Sequence, residues 1–337
     1  MKFYNREEEV RYLKTYCQLE PNSILFVYGP KSSGKTTVML KVIEELRNKD
    51  IVFFYYDLRK YATPTKEEFF KIFFERSDKK YVPNKLEFNL GVFKFGVERE
   101  LNFKEFSLND VFAKINESIN EVIKEGKKPV LVIDELQKLK NIYFNGEKSL
   151  LNELFNLFVH LTKVRHSCHV ICLTSDTLFI EEIYQNSTLE NASEYYLIDW
   201  LEKEDIKKIL KEENFSEKEI DYAINYLSLP YEITELINNK KLGLTVEETI
   251  KKWINIERDK LIYLLKTNRE RKENLLRVLN KFKNSIEVNI DNFEDEIFED
   301  TKFLIKNEIL FYDIINGIIK PTSIKKWYSI RNLDIKR

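Results

Sequence analysis

Gly29-Pro30-Lys31-Ser32-Ser33-Gly34-Lys35-Thr36 spell the pattern G-x-x-x-x-G-K-[ST] without deviation. The chemistry of that spacing is a grip on a chain of phosphates. Glycine lets the backbone wrap closely around the oxygens, and the loop amides and the N-terminus of a following helix face the anion. Lys35 reaches the β and γ oxygens, and the hydroxyl of Thr36 ligates a magnesium ion. The expected nucleotide-binding set is therefore Gly29, Pro30, Lys31, Ser32, Ser33, Gly34, Lys35, Thr36 and the adjoining Thr37. A second constellation is Asp134-Glu135, directly after the apolar run Val130-Leu131-Val132-Ile133. Carboxylates at the carboxyl end of a buried strand stand where open α/β sheets bind ligands. Asp134 is expected to hold magnesium through water and Glu135 to polarise an attacking water, since phosphoryl transfer asks a protein mainly for positioning and electrostatic stabilisation. The plainer alternative is that both carboxylates face solvent and favour a helix N-terminus. A third polar strand end, Thr174-Ser175-Asp176, faces the γ-phosphate only if its strand lies between the other two; otherwise it starts a turn. Asp57 is open in the same way.

These groups need a scaffold, and the hydrophobic pattern supplies one. Ile24 to Tyr28, Ile51 to Tyr56, Val130 to Ile133 and His169 to Thr174 are short apolar runs of the kind made by strands covered on both faces, and Tyr195 to Ile198 is a candidate fifth. Helical periodicity separates them, over Arg6 to Tyr16, Thr36 to Arg47, Lys66 to about Phe74, Leu108 to Lys124 and Leu150 to Val164. Asn5 and Glu8 have the spacing of a capping box for the first helix. Strands alternating with helices imply a parallel sheet with right-handed crossovers. Between 77 and 106 an aromatic, partly alternating stretch suggests an inserted hairpin or extended segment. After Trp200 the strand signals stop. Amphipathic helices follow, then a short extended piece near Ile286 to Ile290, and two strands joined at Asn316-Gly317, a tight-hairpin signal. The expected units are 1–200, 201–258 and 259–337.

The chain of 337 residues has room for two or three such units. Its net charge of -1 excludes a global basic field, so any polyanion site has to be local. Cys17, Cys168 and Cys172 make no disulfide framework, and no apolar stretch is long enough to span a bilayer; the expectation is a cytoplasmic protein without a membrane partner. His166, Cys168, His169 and Cys172 invite a zinc reading, but His169 and Cys172 point to opposite faces of their strand. Toward the C-terminus, Asp291, Glu294, Asp295, Glu296, Glu299 and Asp300 gather around one helix start. Such a cluster repels a nucleic-acid duplex, so a protein partner or intramolecular docking ranks above DNA for this region; the alternative is that the carboxylates simply suit the helix dipole.

On these motifs the chain resembles the archaeal ATPase family of P-loop NTPases, related to the STAND and AAA+ groups. The matching features are Phe3-Tyr4-Asn5-Arg6-Glu7, the phosphate loop, Tyr56-Asp57-Leu58-Arg59, Ile133-Asp134-Glu135-Leu136-Gln137 and Leu173-Thr174-Ser175-Asp176. The resemblance implies a five-stranded P-loop core, a helical lid and a C-terminal winged helix ending near Trp327. It also implies binding and hydrolysis of ATP with Mg2+, with a nucleotide-dependent domain movement, and it puts Arg6 on the adenine side, where a solvated helix charge is the alternative. The runner-up function is a nucleotide-gated scaffold or DNA-associated regulator with negligible turnover. One departure stands out: Asn191 occupies the position where the family pattern has an arginine as a candidate γ-phosphate contact, so turnover is expected to be slow or to need a partner's charge.

Overall fold

The computed structural model describes residues 6–47, 49–60, 107–140, 142–144 and 148–333. The expected capping box at Asn5, the helix from Lys66 and the insertion at 77–106 lie outside them. Along the described chain come α1 (Glu7–Tyr16), β1 (Ile24–Tyr28), α2 (Lys35–Leu46), β2 (Ile51–Asp57), α3 (Leu108–Lys124), β3 (Lys128–Asp134), the small pair β4 (Tyr143–Phe144) and β5 (Lys148–Ser149), and α4 (Leu150–Val159). Then follow β6 (His169–Thr174), α5 (Thr177–Tyr184) and β7 (Ser193–Leu197). The main sheet has five strands in the order β2-β3-β6-β1-β7, and every pairing is parallel.

Alternation within each strand divides two hydrophobic cores between the faces of this sheet. Ile24, Phe26 and Tyr28 of β1 join Leu131, Ile133, Val170 and Cys172 on one face, under α3, α4 and α5. Leu25 and Val27 join Val130, Val132, Ile171 and Leu173 on the other, under Val10 and Leu13 of α1 and Val38, Met39, Val42 and Ile43 of α2. Burial on both faces is why these strands are continuous apolar runs rather than alternating ones. The register brings the strand ends into one row: Asp57 pairs with Asp134, Asp134 with Leu173, and Tyr28 with both Thr174 and Leu197.

Beyond the sheet lie α6 (Lys203–Glu212), α7 (Glu217–Ala223), α8 (Pro230–Lys241) and the long α9 (Val246–Thr267). Ser216 with Glu219 and Thr245 with Glu248 form capping boxes that start α7 and α9. The sequence boundary expected after residue 258 falls inside α9, which is one uninterrupted helix of 22 residues. Its two halves serve different cores. Val246, Ile250 and Trp253 pack with Ile206, Leu210, Ile220 and Leu236 of the helical unit, whereas Leu261 and Leu265 pack with the C-terminal elements. Those elements are α10 (Lys272–Asn280), β8 (Val288–Asn289), α11 (Asp295–Lys306), β9 (Leu310–Asp313), β10 (Ile318–Pro321) and α12 (Ile324–Arg331), with an antiparallel sheet in the order β8-β10-β9. The turn at Asn316-Gly317 joins β9 to β10 as the dipeptide suggests, Gly317 taking φ +65°.

The acidic cluster at the start of α11 is partly neutralised within the chain. Glu294 pairs with Lys281 at 3.0 Å and Glu296 with Arg277 at 3.2 Å, while Asp300 is buried against Asn274. The helix itself packs on α5 in the outer layer of the five-stranded sheet, with Lys302 3.4 Å from Glu181. The C-terminal unit is thus docked on the core of its own chain. Among the described residues, no helix is long and apolar enough to cross a membrane.

Candidate functional site

The loop after β1 is shaped by a close backbone approach. The residue after Tyr28 runs beside the segment that continues β7, where the Ile198 amide donates to the Tyr28 carbonyl at 2.8 Å. A Cβ on Gly29, whose φ is +154°, would stand 2.1 Å from the Ile198 carbonyl oxygen. Gly29→Ala is therefore expected to lower unfolding stability by about 1–3 kcal/mol, read as a urea midpoint shift, because the obstacle is backbone and cannot swing aside. Further on, Ser32 at φ +64° and Gly34 at φ +100° turn the chain into the N-terminus of α2, which presents unsatisfied amides. Lys35 lies buried beneath the loop, its Nζ donating to the carbonyls of Gly29 and Pro30 at 2.9 Å each. Burial pulls its pKa down to about 8, against the opposing pull of Glu135 and Asp134.

The row of strand ends supplies the acids. Asp134, 1% exposed, accepts at Oδ2 from Thr36 Oγ1 at 2.7 Å, from the Tyr55 hydroxyl at 3.0 Å and from Arg59 at 2.7 Å. Burial raises its pKa, and the Thr36 hydrogen bond and the Arg59 charge work the other way. Asp57 is held by the backbone amide and Nε of Arg59, at 3.0 and 2.9 Å. Glu135 has φ +63° and ψ +46°, a left-handed conformation that a non-glycine residue adopts at some cost and that clusters at functional sites. Its amide donates to the Leu173 carbonyl at 2.9 Å, and its carboxylate accepts from Gln137 Nε2 at 2.5 Å. Gln137 in turn accepts from Thr174 Oγ1 at 2.8 Å. The strand carrying Thr174 does lie between the loop strand and β3, but the Thr174 hydroxyl is committed to Gln137, and it is Ser175 that reaches the cavity wall.

Loop, acids and C-terminal unit enclose one cavity of about 650 Å³, lined by Pro30, Lys31, Ser32, Gly34, Lys35, Thr36, Thr37, Arg59, Glu135, Gln137 and Ser175 from the core. That volume falls in the range of nucleotide-sized pockets. Pro230 and Tyr231 at the start of α8 close one side, and Ile305, Lys306, Glu308, Leu310, Phe311 and Thr322 of the C-terminal unit close another. The second closure is tied by specific polar contacts. Lys31 of the loop pairs with Glu308 at 2.8 Å, Tyr28 donates to the buried Asp313 at 2.7 Å, and Lys320 pairs with Asp199 at 2.6 Å.

Two sequence expectations change. Arg6, expected on the adenine side with a solvated helix charge as the alternative, is neither solvated nor among the residues lining the cavity: it is 7% exposed, and its Nη2 donates to the carbonyls of Ser33 at 3.0 Å and Asp199 at 2.6 Å, clasping the phosphate loop from behind. Position 191 is not beside the phosphates either. Asn191 precedes β7, and the neighbouring Ala192 carbonyl accepts from Ile24 at the start of β1. Because β1 and β7 are parallel, position 191 lies at the opposite edge of the sheet, about 16 Å of strand from Gly29. An arginine there would not serve this chain's own loop; among the described residues, the cations on the cavity wall are Lys31, Lys35, Arg59 and Lys306. Sequence reading gave no role to Arg59, Gln137, Tyr55 or Lys306. Arg59 and Gln137 stand two residues after Asp57 and Glu135, within Tyr56-Asp57-Leu58-Arg59 and Ile133-Asp134-Glu135-Leu136-Gln137.

The geometry can hold a triphosphate on loop amides and Lys35. The oxygens of Thr36 and Asp134 suit a hard divalent cation, and Glu135 faces the same space on an oriented arm. Residues 3–236 match the family described as ATPase domain predominantly from Archaea, and residues 247–333 match the C-terminal domain of MJ1010-like uncharacterized ATP-binding proteins. Two proteins of Methanocaldococcus jannaschii, the uncharacterized ATP-binding proteins MJ1006 and MJ1076, are each 71% identical to this chain; each alignment covers 99% of it, and 95% and 99% of their own lengths. Among solved structures, the Walker-type ATPase PABY2304 of Pyrococcus abyssi superposes with a TM-score of 0.69 at 17% identity, covering 98% of this chain and 96% of that one, which is a likeness of fold. With its phosphate loop, strand order and strand-end acids, the chain belongs to the ATPase-domain family found predominantly in Archaea.

Proposed function

We propose that this protein binds ATP in the cavity and hydrolyses it with Mg2+, and that the nucleotide state sets how the C-terminal unit sits on the core. The observation that carries the reading is the shared wall: the loop residues Lys31 to Thr37 and the C-terminal residues Ile305 to Thr322 line one and the same space. A ligand there touches both units, and a ligand with different contacts in its ATP and ADP forms shifts their arrangement by the difference.

In this reading Lys35 leaves the carbonyls of Gly29 and Pro30 for phosphate oxygens, and the α2 N-terminus takes the adjoining ones. Thr36 and Asp134 would hold a magnesium ion, which would supply positive charge against the charge developing on the phosphates. Glu135 orients and polarises the attacking water, and Gln137, anchored by Thr174, fixes the carboxylate's direction. Lys306 adds positive charge from the C-terminal side of the wall that Lys31, Lys35 and Arg59 of the core also line. The units 1–200, 201–258 and 259–337, the last read as a winged-helix variant, would move about the shared helix α9. The three cysteines, all buried free thiols, suit a reducing cytoplasm.

Hydrogen–deuterium exchange on the full chain tests the coupling. Protection of amides in 308–322 is expected to differ between the ATP-bound Glu135→Gln variant and the ADP-bound wild type. Identical exchange in both states would remove the switch and leave a plain nucleotide-binding protein.

A further inference from the structure

The oxygens suited to a divalent cation are already taken by a cation of the chain itself. Arg59 Nη2 lies 2.7 Å from Asp134 Oδ2 and 3.1 Å from Thr36 Oγ1. Its Nη1 is 4.0 Å from Glu135 Oε1. Nη2 also reaches Asp57 Oδ2 at 3.2 Å, and the backbone amide and Nε on Asp57 Oδ1 anchor the residue to the end of β2 by bonds that do not involve Asp134 or Thr36. One guanidinium therefore serves Asp57, Asp134, Glu135 and Thr36 together.

Two facts distinguish this from a permanent rivet. The Arg59 side chain is 43% exposed on the cavity wall, so its outer nitrogens can move into open space. Asp134 Oδ2 already accepts from Thr36, Tyr55 and Arg59, so a metal ion on that oxygen competes with the guanidinium for its lone pairs, and two cations a few ångströms apart repel. Leaving that place empty would be worse. Asp57 and Asp134 are direct partners across β2 and β3, and their carboxylates would face each other without a counter-charge.

We propose that Arg59 is a tethered stand-in for the divalent cation: it holds the Thr36 and Asp134 oxygens while no metal is present and yields them when a metal–nucleotide complex enters. The Asp57 anchor keeps the displaced guanidinium at the cavity wall, where the phosphates lie. Metal binding is then a competition against the chain's own charge. The proposal rests on the reading of Thr36 and Asp134 as the metal's oxygens.

The test measures the Mg2+ concentration that half-maximally tightens a fluorescent ADP analogue on the full chain, with affinity in excess chelator as the metal-free baseline. Arg59→Met, which keeps the stem and removes the charge, is expected to lower that concentration about tenfold, the size of one charge-assisted hydrogen bond. Arg59→Gln should move it the same way, and Arg59→Lys should keep it close to wild type. A half-effect concentration unchanged or raised in both neutral variants overturns the proposal and makes Arg59 a structural staple. Asp134→Asn separates the two layers of inference. If it abolishes the Mg2+ effect while the Arg59 variants do nothing, only the stand-in falls; if it leaves the Mg2+ effect intact, the metal reading itself falls.

Discussion

Glu135→Gln is expected to lower steady-state phosphate release from MgATP by about 10²–10⁴-fold, the contribution of a positioned general base, with ATP affinity nearly unchanged. The substitution is conservative where it needs to be. Glutamine has the same size, tolerates the same left-handed backbone at φ +63° and can still hydrogen-bond Gln137. What it lacks is the negative charge that draws a proton from water. Turnover measured as phosphate release, with nucleotide affinity measured separately by calorimetry, divides the outcomes. Loss of turnover with retained binding makes the protein an autonomous ATPase. Unchanged turnover removes Glu135 from the mechanism. No turnover in either form, beside tight ATP binding, favours a nucleotide-gated scaffold whose acids are held in reserve.

Lys35→Ala is expected to weaken ATP binding about 100-fold, from the loss of charge-assisted hydrogen bonds worth about 1.5–3 kcal/mol each. The loop gives a reason for so large an effect. Without phosphate, the ammonium sits in a buried place where burial draws its pKa to about 8, donating to the carbonyls of Gly29 and Pro30 and, at 3.5 Å, to Ser33 Oγ. Its folded-state pKa is below the ordinary lysine value of 10.5, so holding the charge at neutral pH destabilises the empty chain, and that penalty fades as pH rises from about 8 toward 10.5. A polyphosphate offers opposite charge to a cation that is already in place and poorly solvated. Calorimetric titration of the variant checks this; an affinity within about threefold of wild type, a difference of under ~1 kcal/mol, would leave the loop's amides as the whole grip.

Much of the core is legible before any coordinates. Ile24 to Tyr28 and Val130 to Ile133 stand out because strands buried on both faces are uninterrupted apolar runs, and the observed β1 and β3 contain them. The phosphate loop is legible because its whole geometry is made by neighbours in sequence. Strand polarity also places position 191: a residue preceding a parallel strand lies at the edge away from the loops that follow the strands.

What could not be read is whatever depends on residues far apart in the chain. Arg59, Thr36 and Asp134 meet only because β2 and β3 pair in the register that sets Asp57 beside Asp134. Asp313 meets Tyr28 across 285 residues because the C-terminal unit, continuous with the helical unit through α9, packs against the loop edge of the sheet core. The sequence by itself determined the loop, the five-stranded core and the acids at its strand ends, since those follow from local spacing and from burial pattern. Only the tertiary structure decided which cation occupies the acids, where Arg6 points and what closes the cavity, because long-range contacts are selected by packing and charge pairing between elements whose order in the chain carries no trace of their distance in space.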